Sequence, residues 1–139
     1  MKKVCLLFLL FICGCSNKSG LKCSISNDVD LYNNSVSIIL DDSSIKINEE
    51  FVIKDDFKEL LDVNTLFDSI FNSFSSLDKS GIKIDSNKKD NSFIIDINID
   101  KVIIDDSAKE NITNLFGIDV DKSINEIKSS LEKNGYICN

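Results

Sequence analysis

The sequence predicts an α+β fold, an antiparallel β-sheet of five to six strands with two or three helices packed on one face. Three observations carry this expectation. Apolar and polar residues alternate over several short segments, the signature of half-buried strands. One long segment, from Asp56 to Leu77, instead spaces its apolar residues by three and four, the helical interval. The strands come in runs separated by helices, an order that suits an antiparallel sheet rather than alternating parallel units.

The first fifteen residues stand apart from that fold. Met1-Lys2-Lys3 is a short basic start, and Val4-Cys5-Leu6-Leu7-Phe8-Leu9-Leu10-Phe11-Ile12 follows without a charge. The apolar run is too short to span a bilayer, which takes about 20 residues as a helix. A basic start, a short apolar run and small residues after it describe a secretory signal peptide. The cut region reads Ile12-Cys13-Gly14-Cys15. It resembles the bacterial lipobox, an aliphatic residue three before a Cys with Gly just before that Cys. The resemblance implies diacylglyceryl transfer to the Cys15 sulfur, cleavage before Cys15, and often N-acylation of the new terminus by a palmitate-like chain. Each buried CH₂ adds about 0.8 kcal/mol, so two or three chains hold firmly where one is marginal. The alternatives are an ordinary secretory signal with an incidental Cys, or a membrane-tethering helix. Residues 1–14 are thus expected to be a leader, 15–20 the lipidated Cys and a flexible tether, and 21–139 a single domain.

Processing changes the cysteine count. Of five Cys, Cys5 and Cys13 leave with the leader and Cys15 carries lipid. Cys23 and Cys138 remain, near the two ends of the domain. On an exported domain they read as a disulfide, the alternative being two free, buried thiols. No Cys-x-x-Cys remains, which disfavours thiol–disulfide catalysis.

Charge narrows the partners. The formal net charge is −7, and loss of Lys2 and Lys3 with the leader leaves −9. So acidic a domain is expected to be repelled by anionic lipid and wall polymers and to stand off the surface on its anchor. All 16 basic residues are Lys, and Arg, the preferred bidentate donor to phosphate, is absent. Nucleic acid is therefore not an expected partner. The chain has no His, which disfavours a zinc site, and no cofactor is expected.

Along the domain, Leu21 to Ser26 alternates as a first strand, and Asp30 to Asn34 is turn-prone. Ser35 to Leu40 places Val36, Ile38 and Leu40 on one face of a second strand. Asp41-Asp42-Ser43-Ser44 supplies turn chemistry, and Ile45 to Ile53 reads as a third strand, closing a hairpin. Asp56 with Glu59 suggests a helix start, and Leu60, Val63, Phe67, Ile70, Phe74 and Leu77 form its apolar stripe, with Gly81 as the stop. A second hairpin joins 81–85 to 92–100 around 87–91, with Phe93, Ile95, Ile97 and Ile99 on one face and Asp96, Asn98 and Asp100 on the other. Ser107 to Phe116 suits a short helix begun by Ser107 and Glu110 and stopped at Gly117. Asp121 to Asn134 suits a final helix, and Tyr136-Ile137-Cys138 a last strand. If Cys138 bonds Cys23, the last strand lies beside the first.

Few constellations point to catalysis. Ser-x-x-Lys occurs at Ser19/Lys22, Ser43/Lys46, Ser80/Lys83 and Ser86/Lys89. That spacing serves a serine acyl-transferase only where one helical turn brings Lys against the hydroxyl, and none of the four opens a predicted helix. Asp96, Asn98 and Asp100, with Asp85 across the hairpin, offer oxygen ligands for Ca²⁺, as does the Asp119-Val120-Asp121-Lys122-Ser123 loop. The loop lacks the Gly at its sixth position and the Glu at its twelfth, where Ile124 and Ser130 stand. Solvation of an open sheet face and helix capping account for these carboxylates more simply. The Phe67, Phe71 and Phe74 stripe reads as core before it reads as a ligand groove.

The Cys15 motif, the Leu21-Lys22-Cys23-Ser24 opening and the Asn134-Gly135-Tyr136-Ile137-Cys138-Asn139 close together resemble the small YehR-like lipoproteins of low-GC bacteria. The resemblance covers essentially the mature chain. It implies an α+β lipoprotein of uncharacterised task, and no catalytic residues carry over.

The resulting expectation is a non-enzymatic, lipid-anchored domain on the extracytoplasmic face of the cell membrane. Its acyl chains on Cys15 engage the bilayer, and the domain binds or assists an envelope protein partner. A weak hydrolase using Ser or Asp, or a Ca²⁺-dependent structural or sensor module, are the alternatives.

Overall fold

Alternation of side chains becomes six strands: β1 (Leu21–Asp28), β2 (Tyr32–Leu40), β3 (Ser44–Ile53), β4 (Ile82–Lys89), β5 (Ser92–Asp100) and β6 (Ile137–Cys138). Three helices accompany them, α1 (Val63–Phe74), α2 (Asp106–Phe116) and α3 (Ile124–Lys133). This structure, a computed structural model, describes residues 20–139, the Ser76 side chain excepted. The leader, Cys15 and residues 16–19 lie outside the described residues. The strands form one sheet in the order β4-β5-β3-β2-β1-β6, every neighbouring pair antiparallel. The α+β class expected from the sequence is the one observed.

Register explains the core. Cys138, Cys23, Ile38, Ile47, Ile97 and Ile84 are successive partners across all six strands, so they share one face. A second such row runs Leu21, Leu40, Ile45, Ile99, Ile82. The helices cover this face. Phe67 of α1 meets Phe93 edge-on at 5.4 Å, Phe74 stacks on Phe116 of α2 at 6.0 Å, and Ile127 and Leu131 of α3 are buried. The Phe67–Phe71–Phe74 stripe is thus core, Phe71 being half-buried against the rest. The opposite sheet face presents Ser, Asn, Asp and Lys to solvent, as an antiparallel sheet allows.

Several boundaries differ from expectation. The long helix begins at Val63, not near Asp56: residues Asp55–Phe57 make a short 3-10 turn, and Asp62 caps α1 by accepting the Thr65 N–H at 3.1 Å. Leu60, assigned by spacing to the buried stripe, precedes the helix and is 81 % exposed. Asp105, not Ser107, caps α2, accepting the Ala108 N–H at 2.8 Å. Ser123 and Glu126 form a reciprocal capping box, so α3 starts at Ile124 rather than Asp121. The β4–β5 ladder runs on to Lys89 and Ser92 and leaves only Asp90 and Asn91 in the turn, because extending the ladder pairs backbone groups that a five-residue loop would leave to water. Likewise β1 and β2 extend until only residues 29–31 turn the chain.

Two glycines are required by geometry. Gly117 ends α2 at φ 67°, left-handed backbone that Gly adopts freely. Gly81 has φ 84°, and a Cβ there would lie 2.5 Å from the Ile104 Cα. It does not simply stop a helix; it lets β4 pass tightly under the loop that follows β5.

Candidate functional site

The end of the sheet where the chain leaves for Cys15 gathers the most notable features. Gly20 is packed against the β2–β3 turn, where an added Cβ would sit 2.3 Å from an Asp41 carboxylate oxygen. Gly20, placed at the end of the expected tether, thus packs closely against this turn. Two residues into β1, Cys23 is bonded to Cys138, with S–S 2.00 Å and Cα–Cα 4.0 Å. Lys22 and Asn139 exchange backbone hydrogen bonds at 3.2 and 2.8 Å beside it. First and last strands are thus adjacent, held by a ladder and by a covalent bond buried at Cys23.

On the solvent face one row at this end reads Lys83, Asn98, Lys46, Ile39, Lys22 from β4 to β1. Beside it lies a groove of about 680 Å³, lined by Ser43, Lys46, Lys83, Asn98 and the loop residues Val102 and Ile103. The loop is held by Lys101 N–H to the Ser43 carbonyl at 2.9 Å and by Val102 N–H to the Asp100 carboxylate at 2.9 Å. Its tip leaves Val102 77 % and Ile103 59 % exposed while Ile104 is buried. Sequence reasoning missed this groove. Its residues come from three strands and a loop, and only the register joins them.

The next row inward holds the carboxylates considered for Ca²⁺. Asp85 and Asp96 are ladder partners, but Asp85 pairs with Lys83 at 2.9 Å and Asp96 accepts from Asn48 at 2.7 Å. Asp100 turns to the loop backbone, as above. In the other loop, Asp119 accepts the Asp121 N–H at 3.1 Å and Asp121 pairs with Lys109 at 3.0 Å. Each carboxylate already has a protein partner. Among the described residues no three His, Cys, Asp or Glu side chains are gathered to hold a metal.

The Ser-x-x-Lys pairs are not brought together. Ser19 is outside the described residues, and Ser43, Ser80 and Ser86 make no hydrogen bond to Lys46, Lys83 or Lys89. The Ser–Lys contact that does form was not visible in the spacing: Lys79 Nζ donates to Ser107 Oγ at 3.0 Å, and that hydroxyl donates to Asp105 at 2.9 Å. It sits on the exposed first turn of α2, where Asp105 is the cap.

One half-buried ionisable group lies elsewhere. Glu49 faces the core side of β3, between Val36 and Ile95 in register. Asn34 donates to it, and burial pushes its carboxyl above the usual range despite that bond. Burial and the charge of Glu49 likewise raise the Tyr136 phenol.

The NMR structure of E. coli YehR superposes with TM-score 0.58, covering 88 % of this chain and 92 % of that one at 15 % identity. The chain has the YehR fold. Sequence identity this low carries the architecture alone. No family model and no curated protein matches the chain.

Proposed function

We propose that this protein is a lipid-anchored domain on the extracytoplasmic face of the cell membrane, acting by binding or assisting an envelope partner rather than by catalysis. The observation that carries the reading is the Ile12-Cys13-Gly14-Cys15 sequence behind a basic start and a short apolar run. The Cys23–Cys138 bridge supports it, because such bonds persist in oxidising, exported settings. The fold shared with YehR is the α+β architecture expected for the domain behind that leader, and it carries no more than the architecture. A Ser- or Asp-dependent hydrolase gains only the Lys79–Ser107 contact, whose hydroxyl is already engaged in a helix cap.

The test is metabolic labelling of cells with an alkyne-tagged fatty acid, comparing the parent chain with Cys15→Ser. The parent takes up label and sediments with membranes; the variant does neither. Equal labelling of both, or labelling of neither, contradicts the anchor. Cross-linking in intact membranes followed by capture of the chain then identifies the envelope partner.

A further inference from the structure

We infer that the sheet end bearing Gly20, the β2–β3 turn and the Val102–Ile103 loop rests on the phospholipid surface that holds the anchor, with the two aliphatic side chains entering the headgroup region. The inference rests on acylation of Cys15 as proposed above, and adds that the domain docks where it is tied.

Reach is the first argument. Four residues lie between Cys15 and Gly20, five steps of chain that extend at most about 3.6 Å each, so Gly20 lies within about 18 Å of the Cys15 backbone. The Lys83-to-Lys22 row crosses four inter-strand steps of about 4.8 Å each, roughly 19 Å. Tether and sheet edge are of similar length, so this edge is the part of the domain that the anchor holds nearest to lipid. Held so close, even a weak surface meets the bilayer at high effective concentration.

Chemistry is the second. Val102 and Ile103 are neighbouring aliphatics at a loop tip, the pattern of a shallow interfacial insertion. Lys46 lines the groove beside them, Lys101 precedes them in the loop, and Lys22 stands at the far end of the same row; none of the three has an ion pair or hydrogen bond from its side chain among the described residues. Most lysines further away are engaged: Lys54 with Asp28, Lys109 with Asp106 and Asp121, Lys128 with Glu132. Ammonium groups left free beside exposed aliphatics suit lipid phosphates. Acidic groups at the same end include Asp41, Asp42, Asp100, Asp105 and Asp106; Asp41 accepts a bond from Ser44, Asp100 is turned to the loop backbone, Asp105 caps α2 and Asp106 pairs with Lys109. The net charge of the chain repels anionic lipid as a whole. Locally, this edge is where lysines are available.

The chain has no Trp, so one can be introduced as the sole indole. The full chain, purified from membranes and checked by intact mass, is reconstituted into phosphatidylcholine–phosphatidylglycerol vesicles with acyl chains brominated. Val102→Trp places the probe in the loop, and Leu31→Trp places it in the β1–β2 turn at the opposite end of the sheet. Docking predicts that the V102W indole loses most of its emission and shifts to the blue while the L31W indole is unaffected, and that adding Ile103→Asp restores V102W emission. An acylated chain whose V102W and L31W indoles are equally unquenched overturns the docking and leaves the anchor standing. A blue-shifted but unquenched V102W indole that depends on protein concentration assigns the surface to a second copy and overturns the inference. A chain lacking acyl groups overturns the anchor and the docking together.

Discussion

Asn34 donates its side-chain amide to one carboxylate oxygen of Glu49 at 3.0 Å, while the other oxygen of Glu49 is buried and accepts no hydrogen bond from the described residues. The pair joins β2 to β3 on the core side, where Asn34 and Glu49 interrupt a mainly aliphatic and aromatic face. A buried acceptor without a donor costs about 1–3 kcal/mol, and a charged one more. Glu49→Gln keeps an acceptor for Asn34 and removes the charge. It is expected to raise stability at neutral pH by about 1 kcal/mol, read from the urea midpoint of the two chains.

The same group sets a pH dependence. Burial raises the Glu49 carboxyl above its ordinary 4.5, so the folded chain holds that proton more tightly than the unfolded one. Its contribution is fully present below 4.5 and is lost as pH rises through the folded value. The capping carboxylates act oppositely: backbone N–H bonds from Thr65 and Ala108 lower Asp62 and Asp105 from 3.8, so their contribution is present above that value and lost as pH falls below it. Melting temperature is therefore expected to peak in the mildly acidic range. Glu49→Gln should flatten the decline toward neutral pH and leave the acid limb unchanged.

Cys23 and Cys138 close a loop with a sequence separation of 115. In the chain-entropy model a bridge of this span restricts the unfolded state by about 4–5 kcal/mol. Replacing both with Ser is expected to lower stability by about 2–5 kcal/mol while β1–β5 keep their pairing. Reduction of the parent should reproduce the loss, and reduction of the double variant should change nothing; denaturant titrations with and without reductant check both.

Gly81 meets the Ile104 backbone where a Cβ would stand at 2.5 Å, and its φ is 84°. Gly81→Ala strains the backbone and pushes against the loop that carries Val102 and Ile103. A loss of at least about 2 kcal/mol is expected. By contrast Gly117→Ala, where the nearest neighbour is the Asn134 amide nitrogen at 3.4 Å, should cost only the left-handed conformation, about 1 kcal/mol. Paired thermal melts separate the two.

Much of this fold was legible because branched residues alternate cleanly. In Ser92 to Asp100 every second residue is Phe or Ile, and all four of those are buried. Helix starts were harder. Asp56 and Glu59 have the spacing of a cap, yet Asp62 is the residue whose backbone is extended and whose carboxylate meets an N–H. Spacing cannot tell which of several Asp residues has that backbone. Glu49 was readable in principle, since counting by twos from Ile47 puts it inward. The adjacent Glu50 and Asn48 disguised it as part of a polar stretch. The groove at the tether end was not readable at all: Lys46, Asn98 and Lys83 become neighbours only when β5 is laid between β3 and β4.

Intact-mass spectrometry of the polypeptide extracted from its native membranes tests the central claim most directly. The account predicts a chain that begins at Cys15 and carries the mass of a diacylglyceryl group, with or without a further acyl chain. A chain that retains Met1, or one cleaved to an unmodified N-terminus, contradicts it.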